Sequence, residues 1–316
     1  MNCSICNSQN CNIYARLFDD RHGYPGYFNL LKCSACGHKY LKGEFSEQFL
    51  MELYTEYYPR LTTFEIDNFQ PYKEVTEFEA WLDGEYSSAF RWIPRNVRIL
   101  DIGCGFGETL AYHKLRGCDA YGVEADENIL LVANKFGFKV NVGLFNASQY
   151  EKEFFDYVTM DQVSEHVINP VETLKDVASV LKPGGIVILS TPNCHGWGAR
   201  IFGPHWINWH TPYHLHLFSK ESIKIAAKHV GLVLEKAKTI TSSEWLNYQW
   251  IHLLTYPEMG EPSSFWTYSE KGSNKHQIGL KLLSKIHEMK INHLITRFFD
   301  ALGVGDNYLF ILRKKT

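Results

Sequence analysis

A glycine-rich turn between a short apolar strand and a helix is the feature that most constrains the fold of this chain. Residues 98–102 (RILDI) form a run typical of a buried strand, and Gly103, Gly105 and Gly107 follow at alternate positions before a helical segment. Glycine accepts positive φ and carries no Cβ that would hold a ligand away. The pattern therefore predicts a sharp strand-to-helix turn whose backbone lies against a bound molecule.

The glycine spacing and the acid before it indicate the kind of ligand. A dinucleotide fingerprint reads G-x-G-x-x-G and leaves a helix N-terminus free to meet a pyrophosphate. This chain has G-x-G-x-G, and Asp101 stands two residues before the first glycine. A negative charge there would repel phosphate, whereas it suits a cationic group such as an amino acid ammonium.

A second acid ends the next predicted strand. Residues 120–124 (AYGVE) close on Glu124, 23 residues after Asp101. A carboxylate about 20 residues beyond a glycine turn can accept hydrogen bonds from both hydroxyls of a ribose. One such acid alone would more often be a solvated helix cap, but two acids in register with the glycine turn favour a nucleoside site.

The chain continues with several segments that carry a resemblance: residues 155–167 (FDYVTMDQVSEHV), 181–185 (LKPGG) and 190–193 (STPN). Together with the glycine turn they resemble the class I S-adenosylmethionine-dependent methyltransferases of the ubiquinone-type superfamily over about residues 96–240. The resemblance is specific for fold and cofactor and poorly specific for substrate. It implies cofactor binding by Asp101, Gly103, Gly105, Gly107, Glu124, Ala125, Asn146, Asp161 and Gln162.

The Glu-His pair after the fourth core strand lies at the methyl acceptor in this family, which implies His166 as general base with Glu165 beside it. The sulfonium methyl is already activated, so the enzyme has to align an in-line displacement and exclude water. A hydroxyl acceptor needs a base, and histidine titrates near neutral pH. A lone histidine is more often a core or capping residue, but the strand-end position beside Glu165 favours catalysis.

Two further segments bear on the ligands. Asn146 stands where the family often has an acid near the adenine amino group, and its amide oxygen can still accept a hydrogen bond. Residues 203–219 resemble the segment that roofs the acceptor pocket, which implies substrate contacts by His210, Tyr213 and His214 and suggests tryptophan faces for a sugar. A metal site in this histidine-rich loop is disfavoured because the loop has no nearby carboxylate.

Eight cysteines are present, and four of them have metal-ligand spacing. Cys3-x-x-Cys6 and Cys33-x-x-Cys36 form two knuckles that can complete a tetrahedral four-sulfur site for structural zinc. Two structural disulfides are the alternative, which an intracellular chain disfavours. Of the other cysteines, Cys104 and Cys118 are interpreted as small buried thiols.

The alternation of strands and helices predicts an α/β fold with a doubly wound, seven-stranded, mainly parallel sheet. The seventh strand is expected to be antiparallel, between the fifth and sixth, as the resemblance implies. The predicted organisation has a zinc ribbon, a connector with a helical lead-in over Tyr72 to Trp92, a methyltransferase core, a helical insertion or lid and a final strand. Their boundaries are 1–42, 43–95, 96–240, 241–300 and 301–316. Lys182-Pro183-Gly184-Gly185 is predicted to form a turn before the fifth strand.

Composition and charge limit the classes of function and partner that this chain can have. The net charge is −3 with 21% charged residues, and residues 1–42 carry no basic stripe, so nucleic acid is not a favoured partner. No signal peptide or membrane span is found, so a cytoplasmic location is expected. The cysteine knuckles resemble zinc-ribbon methyltransferases of deoxysugar and cell-surface glycan modification. A sugar or glycan acceptor, methylated on oxygen or carbon, is therefore expected.

Three alternatives stay open: an RNA- or protein-recognising methyltransferase, a small-molecule O-methyltransferase of the quinone or phenol type, and a binding protein without turnover. The intact acids and His166 disfavour the last of these. Over residues 278–302, an apolar stripe lies beside basic charge. This stripe is expected to cover the core or a subunit partner, and the alternative is peripheral contact with an anionic membrane. The sequence does not indicate an oligomeric state.

Overall fold

The computed structural model describes residues 2–58, 66, 69–266 and 276–316. Two sheets organise these residues, one of four strands near the N-terminus and one of seven strands at the centre. The strands are β1 (Cys11–Leu17), β2 (Phe28–Cys33), β3 (Lys39–Leu41), β4 (Arg98–Ile102), β5 (Asp119–Glu124), β6 (Lys139–Val142), β7 (Phe155–Asp161), β8 (Leu181–Pro192), β9 (His216–Leu217), β10 (Leu232–Thr239) and β11 (Asn307–Lys314).

Helices cover both faces of the central sheet and form a separate group after β10. They are α1 (Glu47–Glu52), α2 (Glu77–Asp83), α3 (Glu108–Leu115), α4 (Ile129–Phe136), α5 (Pro170–Val180), α6 (Trp197–Ile201), α7 (Lys220–His229), α8 (Ser243–Leu254), α9 (Gln277–Glu288) and α10 (Ile291–Ala301).

The central sheet has the order β10-β11-β8-β7-β4-β5-β6. β4 pairs in parallel with β5 and β7, β5 with β6, and β7 with β8, whereas β11 is antiparallel between β8 and β10. The central strands are rich in β-branched and apolar residues because helices cover both their faces. The predicted fold class is therefore confirmed, including the position of the antiparallel seventh strand.

The predicted stop and turn before the fifth core strand take the form of an irregularity inside that strand. α5 ends at Val180 and β8 begins at once with Leu181, so residues 182–185 lie inside the strand. The pairing between β7 and β8 shifts register there, and Gly184 adopts a φ of +75°. The proline and glycines are therefore absorbed as an irregularity in the strand, which lengthens β8 at its N-terminal end.

A continuous helix over residues 72–92 is also absent, and only α2 and two short 3₁₀ turns form there. Gly84 ends α2 with a φ of +77°, and a Cβ at this position would lie 2.0 Å from the Thr241 carbonyl oxygen. Phe78 and Trp81 are 67% and 51% exposed, so these apolar residues of the predicted helix do not pack in the core. Close approach of the segment before α8 requires the break at the glycine.

The predicted insertion consists of α8, α9 and α10 in the described residues, with a break at Lys290, whose φ is +62°. The stripe along α9 and α10 faces outward: Ile278, Leu282 and Phe298 are 86%, 60% and 61% exposed. The expectation that these side chains cover the core is therefore wrong. The neighbouring Phe299 does pack inward, stacked on Trp197 with ring centroids 4.3 Å apart. No described helix combines the length and apolar character that crossing a membrane requires.

The N-terminal sheet has the order β1-β2-β3-β9, so its last strand comes from the loop after β8. Tyr40 pairs with His216, and Lys39 with Leu217. The Lys39 ammonium group is buried and donates to the Cys194 carbonyl oxygen at 2.8 Å. The predicted N-terminal module is thus built into the side of the larger domain.

Candidate active site

The glycine turn joins β4 to α3 as predicted, and all three of its glycines have positive φ: +77° at Gly103, +55° at Gly105 and +91° at Gly107. A Cβ on Gly103 would meet a methyl group of Val163 at 2.4 Å. A Cβ on Gly105 would have only the Glu108 carboxylate within 4.0 Å. The turn therefore packs against Val163 at Gly103 and faces open space at Gly105. A backbone that receives a ligand needs such open space.

Asp101 lies beneath this turn and is only 2% exposed. One carboxylate oxygen accepts the Thr109 hydroxyl at 2.5 Å and the other accepts the Thr159 hydroxyl at 2.7 Å. Burial raises its pKa to about 6, although both hydroxyls favour the ionised form. A cationic ligand would lower that pKa, so the group fits the positively charged end of an amino acid.

Glu124 closes β5 beside the turn. Its carboxylate accepts the backbone N–H groups of Gly105 at 2.9 Å and Asp126 at 3.0 Å. A carboxylate offers about four lone-pair sites, so two remain for ribose hydroxyls after these bonds. Burial raises its pKa above the ordinary value of a glutamate. Glu124 therefore has bonding capacity left beside the glycine turn, and contact of Glu124 and the adjacent Ala125 with a nucleoside stays a prediction.

The remaining predicted cofactor residues have local partners. The Asn146 amide oxygen accepts both the N–H and the hydroxyl of Ser148, at 3.0 and 2.8 Å. The Gln162 side chain donates to the Ser190 hydroxyl at 2.7 Å, toward β8. Asp161 accepts the Ala89 N–H at 3.0 Å, and burial raises its pKa to about 7. Contact of these three residues with a cofactor stays a prediction.

His166 follows β7 and has a defined tautomer. Its Nδ1 lies 3.0 Å from the Tyr213 carbonyl oxygen, which can only accept, so Nδ1 carries the proton. The Tyr54 hydroxyl oxygen is 2.9 Å from the same nitrogen. Burial lowers the pKa of His166 to about 4, so the ring is neutral at physiological pH. Its Nε2 lone pair is therefore free to accept a proton.

Glu165 is fully buried beside this histidine. One of its carboxylate oxygens accepts the Thr191 hydroxyl at 3.0 Å, whereas the other has no hydrogen-bond partner among the described residues. Burial raises its pKa to about 8. Its backbone carbonyl accepts the N–H groups of Leu215 and His216, at 2.8 and 3.1 Å. Glu165 therefore ties the end of β7 to the loop before β9.

That loop brings the predicted substrate residues to His166. His214 and His166 have ring centroids 4.7 Å apart, and His210 lies 6.4 Å from His166. His210 and Tyr213 are stacked at 4.7 Å. All three predicted residues thus lie around His166, although their side chains are largely buried.

The tryptophans of the same loop do not form a sugar-stacking surface. Trp206 and Trp209 are 0% and 3% exposed and belong to a buried apolar cluster. The Trp206 indole N–H donates to Asp306 at 2.7 Å, and the Trp209 indole donates to the Gly203 carbonyl oxygen at 2.7 Å. The expectation of open tryptophan faces is wrong because both rings are enclosed on the side of the N-terminal sheet.

The expectation that the loop histidines have no nearby carboxylate is wrong as well. Glu165, His166 and His214 each place one potential metal-ligand atom within 4.8 Å of the others. β7 and the loop approach only in the folded chain, so sequence spacing did not show this group. His216 lies elsewhere, with its Nδ1 3.1 Å from Nε2 of His38.

Residues that sequence reasoning did not assign to the site also surround it. Arg21 and His22 come from the turn between β1 and β2, and Tyr54 and Tyr58 come from the connector. The His22 ring lies 4.9 Å from Tyr58 and 5.6 Å from His210. The clustered charges of residues 19–22 and the tyrosine-rich connector were signals in the sequence. Neither indicated that these segments reach the end of β7.

The four predicted cysteine ligands converge at the tip of the N-terminal sheet. Sγ of Cys3 lies 3.7 Å from Sγ of Cys36, and Sγ of Cys6 lies 3.5 Å from Sγ of Cys33. Tetrahedral zinc with bonds of about 2.3 Å separates its sulfurs by about 3.8 Å, so the donor set and spacing fit zinc. Cys104 and Cys118 are buried single thiols, as predicted.

Comparison with known proteins identifies relatives of the central region. A family described as a methyltransferase domain matches residues 76–237, just over half of the chain. A ubiquinone biosynthesis O-methyltransferase of Azoarcus sp. is 32% identical over 133 residues, 40% of this chain and 54% of the relative. The corresponding protein of Maricaulis maris is 33% identical over 151 residues, 44% of this chain and 59% of the relative.

The chain thus spans a little over half the length of these relatives. Among solved structures, a SAM-dependent methyltransferase from Archaeoglobus fulgidus is 19% identical with a TM-score of 0.43. That alignment covers 85% of this chain and all of the other.

Proposed function

Because the chain belongs to the methyltransferase-domain family, we propose that it transfers the methyl group of S-adenosylmethionine to a hydroxyl oxygen of a small molecule. The observation that carries this proposal is the tautomer of His166. Nδ1 donates to the Tyr213 carbonyl oxygen, which leaves Nε2 as a proton acceptor at the ligand-binding edge of the sheet. A hydroxyl acceptor requires such a base as its bond to the methyl carbon forms.

The cofactor supplies the activated methyl group when bound. The residues of the chain then hold and shield it: Glu124 accepts hydrogen bonds from the ribose, and Asp101 attracts the cationic amino acid end. The middle of the glycine turn lets the cofactor approach the backbone, since a side chain at Gly105 would occupy that space. His166 takes the acceptor proton on Nε2, and Tyr54 with the Tyr213 carbonyl keeps the ring in place.

A small-molecule acceptor is favoured over a macromolecule. The net charge of −3 does not favour nucleic acid. The relatives are ubiquinone biosynthesis O-methyltransferases, which supports a phenol-type acceptor more than a sugar. The enclosed tryptophans also remove one reason for proposing a glycan. A sugar hydroxyl remains chemically competent with the same base, so both classes enter the test.

The test is methyl transfer from radiolabelled S-adenosylmethionine to three sets of acceptors in parallel: dihydroxylated phenols, nucleotide sugars and total RNA. We expect labelled product with a phenol or sugar, formed by the wild-type chain and lost in His166→Gln. Labelling of RNA alone, or turnover that does not depend on His166, would contradict the proposal.

We also propose that one structural zinc ion is held by Cys3, Cys6, Cys33 and Cys36. Four thiolates fill the coordination sphere, so the ion would stabilise the N-terminal sheet and take no part in catalysis. Metal analysis should give one zinc per chain, and Cys3→Ser should lose it and lower the melting temperature. The matched control is Cys11→Ser, outside the group, which should keep the metal. Zinc-free protein purified without chelator would contradict the proposal.

A further inference from the structure

The turn between β1 and β2 carries an arginine that is buried next to the proposed acceptor site. Arg21 is only 4% exposed, and its NH2 group donates to the Ile207 carbonyl oxygen at 2.5 Å. Its Nε has no hydrogen-bond partner among the described residues. The guanidinium carbon lies 4.6 Å above the ring of Trp266. Burial lowers its pKa to about 10, which still leaves it charged at neutral pH.

The two carboxylates near this arginine form their closest polar contacts with other groups. Asp19 accepts three N–H groups of its own turn, those of Arg21, His22 and Tyr24, at 2.9–3.0 Å. The carboxylate of Asp20 lies 3.2 Å from the His252 ring. No carboxylate of the described residues forms an ion pair with Arg21 within 4.0 Å. The charges of Asp20 and Asp19 still oppose the effect of burial on the Arg21 pKa, but neither carboxylate pairs directly with the guanidinium group. A buried cation without a direct ion pair leaves room for a ligand to provide the anion.

Two imidazoles beside this arginine also have unused polar atoms. His22 is 6% exposed, and neither of its ring nitrogens has a partner among the described residues. His210 is 5% exposed, and its Nε2 also has no hydrogen-bond partner among the described residues. The two rings lie 5.6 Å apart. Buried polar groups are almost always hydrogen-bonded, so a cluster with this many unused atoms indicates a polar ligand.

The cluster adjoins the proposed base. His210 lies 6.4 Å from His166, and burial together with the Arg21 charge lowers the pKa of both histidines. We propose that Arg21, His22 and His210 bind an anionic group of the methyl acceptor, a carboxylate or a phosphate, while its hydroxyl meets His166. This inference rests on the proposed function and names the substrate class. Arginine suits the role because its planar fork can hold two oxygens of one anion.

Matched pairs of acceptors test this proposal: catechol against 3,4-dihydroxybenzoate, and glucose against glucose 1-phosphate. The first pair detects a carboxylate and the second a phosphate. We expect the anionic member of at least one pair to have a kcat/KM roughly 10–100-fold higher, the range of a charged hydrogen bond. Arg21→Gln should bring the two members within about threefold of each other. Equal use of both members by the wild-type chain, or a preference that survives the substitution, would overturn the proposal.

Two further variants show whether a lost preference comes from the cluster itself or from loss of folding. His22→Gln breaks no described hydrogen bond and should weaken the preference with little change in melting temperature. Arg16→Gln is the matched control, because Arg16 is an exposed arginine on β1 whose guanidinium lies over Tyr27 at 4.4 Å. It should keep the full preference. If Arg16→Gln lost the preference as well, the effect would not belong to the cluster and the proposal would fail.

A binding measurement separates this proposal from the methyl-transfer proposal. Calorimetry with benzoate and with inorganic phosphate uses the full chain saturated with S-adenosylhomocysteine and needs no turnover. Binding of one anion, weakened at least about tenfold in Arg21→Gln, would support the site even if no acceptor were methylated. Absence of binding for both anions in the wild-type chain would overturn the proposal.

Discussion

The two halves of the proposed site, one for the cofactor and one for the methyl acceptor, are built in opposite ways. The cofactor half uses residues that follow directly from two neighbouring parallel strands, β4 and β5, so Asp101, the glycine turn and Glu124 are close in sequence. The acceptor half combines the β1–β2 turn, the connector, the end of β7 and the loop before β9. Tyr54 lies 2.9 Å from His166 although 112 residues separate them.

The difference also appears in the hydrogen bonds. Glu124 and Asp101 each have both carboxylate oxygens engaged by neighbours. Around His166, the side chains of Glu165, His22 and His210 each keep at least one polar atom without a hydrogen-bond partner among the described residues. The cofactor half is therefore preorganised by its own chain, whereas the acceptor half has bonding capacity left for a substrate. Three substitutions and a pH profile test this contrast, and a fourth substitution probes a surface outside the site.

The largest effect is expected from His166→Gln, which removes the proposed base but leaves the cofactor half untouched. Turnover should fall roughly 10²–10⁴-fold, while the affinity for S-adenosylmethionine stays the same. His229→Gln, at an exposed histidine of α7, is the control. Steady-state kinetics with calorimetry measures both quantities, and near-normal turnover would leave His166 as a structural residue.

The pH profile sharpens this prediction. Burial lowers the pKa of His166 to about 4, so the ring loses its base function only when the pH falls through that value. At saturating cofactor, which keeps Asp101 ionised, the acid limb of kcat/KM for the acceptor should therefore lie near pH 4 rather than near the ordinary histidine value of about 6.5. An acid limb at the ordinary value would show that another group acts as the base, or that the ring is solvated.

Glu124→Gln addresses the cofactor half. Two hydrogen bonds from ribose hydroxyls to a charged acceptor become bonds to a neutral amide, and each charged bond contributes about 1.5–3 kcal/mol. Cofactor affinity should drop roughly 10–100-fold, with little change in turnover at saturating cofactor. Glu127→Gln, at an exposed neighbour, should bind normally. Unchanged calorimetric affinity in Glu124→Gln would mean that this carboxylate does not hold the ribose.

Tyr54→Phe probes how the acceptor half is held together. The hydroxyl oxygen lies 2.9 Å from Nδ1 of His166, and a neutral hydrogen bond contributes about 0.5–1.5 kcal/mol. Turnover should fall roughly 2–10-fold without a change in cofactor affinity. If cofactor affinity fell instead, the connector would belong to the other half of the site.

The smallest effect on methyl transfer is expected from a change outside the site, at the outward stripe of α9 and α10. Exposed Ile278, Leu282 and Phe298 lie beside exposed Lys281 and Lys285. Apolar side chains flanked by lysines suit an anionic lipid surface, so the chain should float with anionic vesicles at low salt. Phe298→Asp should abolish flotation.

A matched control uses another exposed apolar residue. Leu115 is 75% exposed on α3, and Leu115→Asp should float like the wild-type chain. Absence of flotation, with a concentration-dependent dimer that Phe298→Asp dissociates, would assign the stripe to a second copy of the chain.

Several features could be predicted because they are local. The alternation of strands and helices, the glycine turn and the two acids at strand ends depend on residues close in sequence, and the structure places them as expected. The cysteine spacing likewise predicted a four-sulfur group. The helix stop at residues 182–185 was also local, although these residues form an irregularity inside β8 instead of a separate turn. The sequence was misleading at Trp206, which looks like a ligand surface but is enclosed.

Only the tertiary structure decided what surrounds His166. Sequence spacing carries no information on which loop reaches a strand end from about 150 residues away, so it did not indicate that Arg21 and His22 lie near His166. It also could not tell whether the stripe of α9 and α10 faces inward, since periodicity shows that an apolar face exists but not what covers it. Motifs specify the glycine turn after β4, whereas burial and long-range packing decide which side chains surround His166.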